Sequence, residues 1–356
     1  RGFDHYDDRF DRLQTARARL FSRTALFRWM HRAGLFTDRD LDFQRIAPEV
    51  NARVVSWLES RAGGRPYFLF VHYWDPHGPY APPAPLDRRA DGSRIEVDYD
   101  MDRLLEGVYT LSPSGLADTL ELYDREIQYV DGHVGALIDV LRDRGELDNA
   151  VIVLTSDHGE SFGEHDHWEH SRVLYEDLLH VPFLLRLPGG RAAGTVVRDA
   201  IAQPTDILPT VLSAAGLPMP EELEGRDLLA ALGDDGSGGR EAHPGVRDLQ
   251  FAFAELDRNV DWPARWGARY DRDLTSVRTL RYKYIQSSTG REELYDLQTD
   301  PGETIDQAAS MPDSVASMRA LVMLWRKSMK ERGASDAGGE VDEGLKESLR
   351  GLGYIQ

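Results

Sequence analysis

Three short apolar runs and one long amphipathic stretch stand out in the pattern of hydrophobic and polar positions. The runs cover residues 66–73, 151–156 and 181–187 and are largely apolar or β-branched, which predicts buried strands. Between the first two, apolar residues over 116–141 recur at steps of three and four, which predicts an amphipathic helix. Strand, helix and strand in this order form the βαβ pattern of a parallel sheet. The sequence therefore predicts an α/β fold in which a mostly parallel sheet is sandwiched by helices.

The pattern changes after a segment rich in Gly and Asp at residues 233–245, which is the best linker candidate. Before it, shorter helices are predicted at 50–58, 173–179 and 206–215. After it, we predict strands at 249–256, 276–286 and 293–297, with Thr289-Gly290 as a turn, and helices at 313–330 and 343–349. This organisation predicts a large α/β domain over residues 1–232, a linker over 233–245, and a smaller C-terminal α+β domain with an antiparallel sheet over 246–356.

Composition narrows the classes of partner. The chain has 356 residues, of which 41% are hydrophobic and 29% charged, and no window approaches the roughly 20 apolar residues of a membrane span. The formal net charge of −19 argues against nucleic acid or an anionic membrane as the main partner. It also means that an anionic substrate would need local cations. The chain contains no cysteine, which excludes disulfides, thiolate metal sites and a Cys nucleophile within these residues.

Candidate chemistry follows two of the predicted strands. The run at 151–156 ends in Asp157-His158-Gly159, and ligands in open α/β sheets bind outside the carboxyl ends of strands. A carboxylate and an imidazole here are candidate metal ligands or acid–base groups, and a polar surface loop is the alternative. The density of further acids and histidines favours a site: Glu160, Glu164, His165, Asp166, His167, Glu169 and His170. The run at 66–73 likewise leads to His77, in a loop that prolines on both sides make stiff.

Together these segments resemble the sulfatase family of the alkaline-phosphatase-like superfamily. Any one of them is moderately specific, whereas the whole set in the family's order is strong. The matching segments are 68–80 (FLFVHYWDPHGPY), 148–160, 163–165 (GEH), 174–177 leading to Val181-Pro182, 281–284 (RYKY), 293–297 (ELYDL), 300–303 (DPGE) and 349–354 (LRGLGY).

The resemblance also shows what this sequence lacks. Such sulfatases open with a strand that carries paired metal-binding aspartates, followed by a Cys/Ser-x-Pro-x-Arg motif whose Cys or Ser becomes a formylglycine nucleophile. Neither feature occurs here, and the nearest serine candidate, at residues 310–314, lacks the arginine. The first residue is Arg1 rather than an initiator Met, and no signal-like apolar stretch follows it. We therefore expect roughly the first quarter to third of a complete enzyme to be absent from this sequence, and this chain alone to be inactive.

The resemblance implies a role for four residues. Asp157 and His158 would be metal ligands, His77 would contact the sulfate and its leaving oxygen, and His170 would contact the sulfate, with His165 or His167 as alternatives. An imidazole pKa of about 6.5 suits proton donation near neutrality. The family's cation is usually Ca²⁺. The imidazole of His158 in place of the commoner amide leaves Mn²⁺ or Mg²⁺ open.

The implied function is hydrolysis of a sulfate monoester of a small molecule or carbohydrate, with no nucleic-acid partner. One alternative is a phosphate or phosphonate ester hydrolase of the same superfamily, with a Thr or Ser nucleophile or two metals. Another is a non-catalytic chain. The family resemblance favours a periplasmic or secreted location.

Two further groups of residues have open assignments. The basic residues Arg278, Arg281 and Lys283 are predicted to form a solvated strand face. The alternative is a contribution to substrate selection, because the family resemblance implies that the C-terminal domain borders the active-site cleft. The aromatic residues Trp262, Trp266 and Tyr270 either stack on a sugar or aryl group of the substrate or are buried against the large domain.

Overall fold

The computed structural model describes residues 5, 7, 45–61, 64–97, 101–170, 172–220, 223–232, 250–258 and 262–333. These residues belong to two compact units. The first consists of residues 1–99 and 111–147, and the second of residues 100–110 and 148–356. The predicted linker at 233–245 and the predicted helix at 343–349 lie outside the described residues, so the predicted domain boundary stays a prediction.

In chain order the main helices are α1 (Ala47–Ser60), α2 (Met101–Glu106), α3 (Pro113–Asp143), α4 (Glu176–Leu179), α5 (Ile207–Ala214), α6 (Trp262–Trp266) and α7 (Pro312–Gly333). The strands are β1 (Ile152–Thr155), β2 (Ser161–Phe162), β3 (Trp168–Glu169), β4 (Phe183–Arg186), β5 (Ala252–Leu256), β6 (Leu274–Arg278), β7 (Tyr282–Ser287) and β8 (Glu292–Asp296). Among the described residues, every helix is too short or too polar to cross a membrane.

The first unit is built on the predicted helices α1 and α3, which pack together. Asn51 donates its side-chain amide to the carbonyl of His133 at 2.7 Å, and Arg144 donates to the carbonyl of Leu58 at 3.1 Å. Helix α3 begins where its sequence provides a cap, because the hydroxyl of Ser112 accepts a hydrogen bond from Gly115 N at 3.1 Å. The helical prediction for 116–141 is therefore confirmed and extends at both ends.

The prediction of a strand at 66–73 is wrong for the described structure. The segment is extended but belongs to no sheet, and Phe68 and Phe70 are 64% and 70% exposed. Side-chain hydrogen bonds hold this segment in place. The Tyr67 hydroxyl donates to Glu146 at 2.7 Å, and the Tyr73 hydroxyl donates to Asn51 at 2.5 Å. An apolar run favours an extended backbone, but a strand also needs a neighbouring ladder, and the run alone does not supply one.

In the second unit, strands β1 and β4 form where they were predicted but pair antiparallel, with Ile152 opposite Arg186 and Thr155 opposite Phe183. Their connection holds a small β2–β3 hairpin and the single turn α4 instead of a long crossover helix. A parallel pair needs such a crossover, which explains the difference. Every strand pair within the described residues is antiparallel.

The predicted C-terminal antiparallel sheet is confirmed, with strand order β5-β6-β7-β8. The predicted strand at 276–286 is in fact two strands, because the Thr279 hydroxyl accepts hydrogen bonds from Arg281 N at 3.3 Å and Tyr282 N at 2.8 Å and closes a tight turn. The Thr289-Gly290 turn joins β7 and β8 as predicted, with Gly290 at φ 89°.

Both faces of this sheet are covered, and the side chains alternate between them. One face packs against α7 through a core that includes Tyr284 and Leu294. The other face packs against residues 173–178 through Ile285 and Tyr295. Since residues 173–178 directly follow the histidine-rich loop, the sheet supports the polypeptide that carries the candidate site.

Candidate functional site

The hairpin after β1 determines where the histidines of this loop lie. Strands β2 and β3 pair with Ser161 opposite Glu169, which places the residues just before β2 beside those just after β3. The turn between the strands uses left-handed backbone at Gly163 (φ 109°), and Gly163 N donates to the carbonyl of His167 at 2.8 Å. The hairpin therefore brings His158 and His170 to the same end.

The imidazole rings of His158 and His170 stack, with ring centres 4.0 Å apart and an interplanar angle of 23°. His170 Nδ1–H donates to the Glu160 carboxylate at 3.0 Å. This hydrogen bond is the main reason that the pKa of His170 is raised, while burial acts in the opposite direction. The carboxylate fixes the orientation of the ring and leaves Nε2 as the second nitrogen of His170.

The side chains of Asp157 and His158 are close enough to bind the same cation. Asp157 is 76% exposed, and its Oδ2 lies 3.9 Å from His158 Nε2. Two ligands at about 2.1–2.4 Å from a common ion are roughly 3 to 4.5 Å apart, so this spacing fits. His158 Nδ1–H donates to the Gly159 carbonyl at 2.7 Å, which leaves the lone pair on Nε2. Among the described residues, no cluster of three or more His, Asp or Glu side chains forms a complete metal site.

Helix α4 holds this loop by close backbone contact. Gly159 N donates to the carbonyl of Leu178 at 2.8 Å, and a Cβ at residue 159 would lie 2.0 Å from the carbonyl oxygen of Asp177. The Ser161 hydroxyl donates to the Asp177 carboxylate, and burial raises the pKa of that carboxyl. Only glycine fits at position 159, so the loop and α4 are fixed to one another.

His165 and His167, the alternatives to His170, pack elsewhere. The ring of His165 stacks on Tyr175, with centres 3.6 Å apart. His167 is buried near Tyr270, and its pKa is lowered to about 3 by burial and then by Arg269 and Arg272. Neither competes with His170 for the stack on His158, although the roles of all three residues stay predictions.

His77 lies in the first unit and has a well-defined local setting. Its backbone N–H donates to the Trp74 carbonyl at 2.9 Å, and its ring lies 4.8 Å from the Trp74 ring. Nδ1–H donates to the Gly78 carbonyl at 2.7 Å, which leaves Nε2 as the second nitrogen. Asp75 accepts a hydrogen bond from Ala47 N at 3.0 Å, so the loop is held to the start of α1.

The prediction of a solvated basic face is wrong for Lys283 and only partly right for the half-buried Arg278, whereas Arg281 is exposed. Lys283 is fully buried, and its Nζ lies 2.9 Å from Glu176 and 3.4 Å from Glu303. Arg278 donates to the other Glu176 oxygen at 2.9 Å. Because successive strand residues alternate between faces, Lys283 faces the same side as Ile285, and that side is the one packed on residues 173–178. A lysine at this register requires carboxylate partners, which the alternation could have revealed.

Two of the aromatic residues before β6, Trp266 and Tyr270, are buried within the second unit, and Trp262 is half-buried. Trp266 and Tyr270 form a small core with Leu105 of α2, and Trp168 and Trp262 pack against it. The Tyr270 hydroxyl donates to the Leu105 carbonyl at 3.2 Å.

Two family models match this chain. The sulfatase model matches residues 47–217, which include His77, Asp157, His158 and His170. The model for the C-terminal region of N-sulphoglucosamine sulphohydrolase matches residues 163–326. Arylsulfatase K from Bos taurus is 27% identical over 305 residues, which cover 75% of this chain and 52% of that protein. N-acetylglucosamine-6-O-sulfatase from Bacteroides thetaiotaomicron is 31% identical over 176 residues, 49% of this chain and 29% of that protein.

Among solved structures, a phosphonate monoester hydrolase from Agrobacterium radiobacter has a TM-score of 0.58 at 23% identity, and the match covers 83% of this chain and 61% of that one. This likeness supports the fold. The chain spans about half the length, or less, of the curated relatives named above.

Proposed function

The chain belongs to the sulfatase family of the alkaline-phosphatase-like superfamily, and we propose that it carries the metal-binding and substrate-contacting part of an enzyme that hydrolyses a sulfate monoester. One observation carries this proposal. Asp157, His158 and His170 come together at one end of the β2–β3 hairpin, within the region that the sulfatase model matches.

Each proposed role matches the chemistry of its residue. Asp157 and the Nε2 of His158 would hold a divalent cation, most favourably Ca²⁺, with Mn²⁺ or Mg²⁺ as alternatives. Such a cation supplies charge neutralisation for the sulfate group. In its imidazolium form, His170 would donate from Nε2 to a sulfate oxygen while Nδ1–H stays bonded to Glu160. An imidazolium at His77 would likewise donate from Nε2 to the leaving oxygen while Nδ1–H stays bonded to the Gly78 carbonyl.

The nucleophile is proposed to come from polypeptide outside these 356 residues. The chain contains no cysteine and no Cys/Ser-x-Pro-x-Arg motif that could yield formylglycine. The remaining metal ligands and the strands of the family's parallel sheet would come from the same source. We therefore expect residues 1–356 by themselves to release no sulfate from an aryl sulfate.

The substrate is proposed to be a sulfated sugar or a related small molecule. The support is the name of one relative, an N-acetylglucosamine-6-O-sulfatase, and the match to the C-terminal region of N-sulphoglucosamine sulphohydrolase. A periplasmic or secreted location would suit such a substrate.

A second candidate function is hydrolysis of a phosphate or phosphonate ester. The specific observation in its favour is the fold likeness to the phosphonate monoester hydrolase. The curated relatives named above are both sulfatases, which favours sulfate as the substrate group.

The two functions can be separated with the natural protein that contains this sequence. We expect p-nitrophenyl sulfate to be hydrolysed with a kcat/KM at least about 100-fold above that for p-nitrophenyl phenylphosphonate and p-nitrophenyl phosphate. Chelation with EDTA should abolish the activity, and added Ca²⁺, Mn²⁺ or Mg²⁺ should restore it. A preference for the phosphonate or phosphate ester would overturn the proposal in favour of the second candidate.

A further inference from the structure

Helix α4 begins without a cap from its own sequence. The residue at its N-cap position, Tyr175, makes no side-chain hydrogen bond to the first turn. The carboxylate of Glu303 takes that place, because its Oε2 accepts a hydrogen bond from Glu176 N at 2.5 Å. Glu303 and Glu176 are 127 positions apart in the sequence, so a distant part of the chain holds the start of α4.

Burial and charge fix the Glu303 carboxylate and its partners. Glu303 is buried, and its Oε1 lies 3.4 Å from the Nζ of the fully buried Lys283. Lys283 also donates to Glu176 Oε1 at 2.9 Å, and Arg278 donates from Nε to Glu176 Oε2 at 2.9 Å. Both the backbone and the side chain of Glu176 are therefore bound from the C-terminal sheet and the segment that follows it. Because these groups are buried, water does not readily replace a contact that a substitution removes.

The other end of α4 contacts the candidate loop. Gly159 N donates to the carbonyl of Leu178 at 2.8 Å, and the Ser161 hydroxyl donates to the Asp177 carboxylate. Helix α4 has only four residues, and a helix of one turn has little stability of its own. Its position therefore depends on the contacts at its two ends, and the loop is placed by the same helix that Glu303 holds.

The two anchored loop residues flank side chains of the candidate site. Gly159 directly follows His158, and Glu160 lies between Gly159 and Ser161. Glu160 accepts the hydrogen bond from His170 Nδ1 at 3.0 Å, and the His170 ring stacks on His158. A displacement of the backbone at 159–161 would therefore move both imidazoles.

We propose that Glu303 is a positioning residue: by binding the start of α4, it sets the backbone of the candidate loop and thereby the placement of His158 and His170. This inference rests on the proposed function, because it assigns a support to that same site. Glu303 acts through α4, and its role requires an oxygen that accepts the hydrogen bond from Glu176 N. Partners that orient metal-binding side chains commonly change metal affinity by about 10- to 100-fold when they are replaced.

The test is hydrogen–deuterium exchange of the chain at pH 7, followed by mass spectrometry of its peptides. Glu303→Leu has a side chain of similar size and removes the acceptor. We expect the amides of residues 158–162 to exchange at least about tenfold faster in this variant, because Gly159 N loses its fixed partner on α4. Glu303→Gln keeps an acceptor oxygen and should stay within about threefold of the wild type.

Glu292→Leu is the matched control for a loss of stability that does not involve α4. It removes a half-buried carboxylate of β8 that accepts two hydrogen bonds from Arg319 of α7, both at 2.7 Å. Exchange of residues 158–162 should stay within about threefold of the wild type in this variant. Glu303→Asp replaces Glu303→Leu if the latter does not fold, because it keeps the charge near Lys283 and withdraws the carboxylate by one methylene group. It should speed exchange of the same residues at least about threefold.

Two results would overturn the proposal. One is unchanged exchange of residues 158–162 in Glu303→Leu, or in Glu303→Asp where the first variant does not fold. The other is equal acceleration in Glu292→Leu, or no rescue by Glu303→Gln, which would assign Glu303 to the general stability of the fold.

Hydrolysis of p-nitrophenyl sulfate by the natural protein separates failure of this inference from failure of the proposed function. Glu303→Leu should raise the concentration of divalent cation needed for half-maximal rate at least about tenfold, and Glu303→Gln and Glu292→Leu should leave it within about threefold. Sulfate release with an unchanged cation requirement in Glu303→Leu would remove the positioning role and leave the reaction. Faster exchange in Glu303→Leu, with no sulfate release by the wild type, would support the positioning of the loop and remove the reaction.

Discussion

At the scale of single residues, the buried amine of Lys283 shows how strongly the second unit depends on paired charges. Its Nζ lies between the carboxylates of Glu176 and Glu303, away from solvent. Replacing Lys283 by Met would leave the Glu303 carboxyl without its cation and Glu176 with Arg278 as its one remaining cationic partner among the described residues. We expect the free energy of unfolding to fall by about 3 kcal/mol. Urea unfolding at pH 7, followed by tryptophan fluorescence, measures this change.

Arg191→Met is the matched control, because Arg191 is an exposed cation of the same unit. It should change the free energy of unfolding by no more than about 0.5 kcal/mol. Equal small effects of the two substitutions would contradict the role given to Lys283.

Glu303 adds a pH dependence to the same group of charges. Burial raises the pKa of its carboxyl from 4.5 to about 7, and Lys283 only partly offsets that effect. Between these two values the folded protein retains a proton that the unfolded chain releases. The stability that this proton contributes is fully present below pH 4.5 and is lost as the pH rises through 7.

Glu303→Gln keeps the shape of the protonated side chain without its titration. We expect the variant to gain stability relative to the wild type as the pH rises from 5 to 8, by up to about 3 kcal/mol. Chemical unfolding at several pH values measures the difference. A difference that stays constant across this range would show that Glu303 is ionised throughout.

The sequence identified Asp157, His158, His170 and His77 as candidates, but it did not reveal that the rings of His158 and His170 stack. The density of His and acidic residues after 151–156 located the loop. The stack of His158 on His170 depends on the β2–β3 register, which two-residue strands do not reveal in a sequence. Glu176 and Glu303 lie in two of the segments that resemble the sulfatase family. Their pairing with Lys283 could not be predicted, because Glu176 is more than 100 residues from Lys283 in the sequence.

At the scale of elements, the close approach of the candidate loop to α4 gives the clearest prediction. A methyl group at Gly159 would collide with the carbonyl oxygen of Asp177, whereas one at Gly135 in α3 meets no atom within 4 Å. The same substitution should therefore have opposite effects at the two positions. Gly159→Ala should lower the free energy of unfolding by about 2 kcal/mol or more through overpacking, and Gly135→Ala should raise it by about 0.5–1 kcal/mol.

Thermal and urea unfolding of both variants measure these changes. Near-ultraviolet circular dichroism shows whether the Gly159→Ala loop is displaced. Stabilisation by Gly159→Ala would mean that the loop and α4 do not make the backbone contact described here.

Helices and strands with a regular spacing of apolar residues could be predicted from the sequence. Elements that depend on partners distant in the sequence could not. Helices α1, α3 and α7 follow their apolar spacing, and β8 follows its apolar run. The segment at 66–73 and the β1–β4 pair depend on which strand lies alongside, and local pattern carries no information on that choice. The turn at Thr279 divided one predicted strand into two because a single hydroxyl satisfies two backbone donors.

At the scale of the whole molecule, positive charge is concentrated at particular places in an acidic protein. The chain has 61 acidic and 42 basic residues, yet the Lys283 side chain is fully buried in the second unit. Glu176 and Glu303 neutralise it, so this positive charge stabilises the fold. With a net charge of −19, an anionic substrate would still need local cations at its site.

The match to the sulfatase model includes residues of both compact units. The chain spans about half the length of arylsulfatase K from Bos taurus. We propose Asp157 and His158 as metal ligands, and we propose His77 and His170 as substrate contacts. The activity of this site is tested with the natural protein that contains the sequence.

The most direct test compares two aspartates of the same loop in metal-dependent hydrolysis of p-nitrophenyl sulfate. Asp157→Asn should lower kcat/KM by about 100-fold or more and raise the concentration of divalent cation needed for half-maximal rate. Asp166→Asn should leave both values within about threefold of wild type, because residue 166 is exposed and its left-handed backbone (φ 59°) suits asparagine. Wild-type turnover and metal dependence in Asp157→Asn would contradict the account.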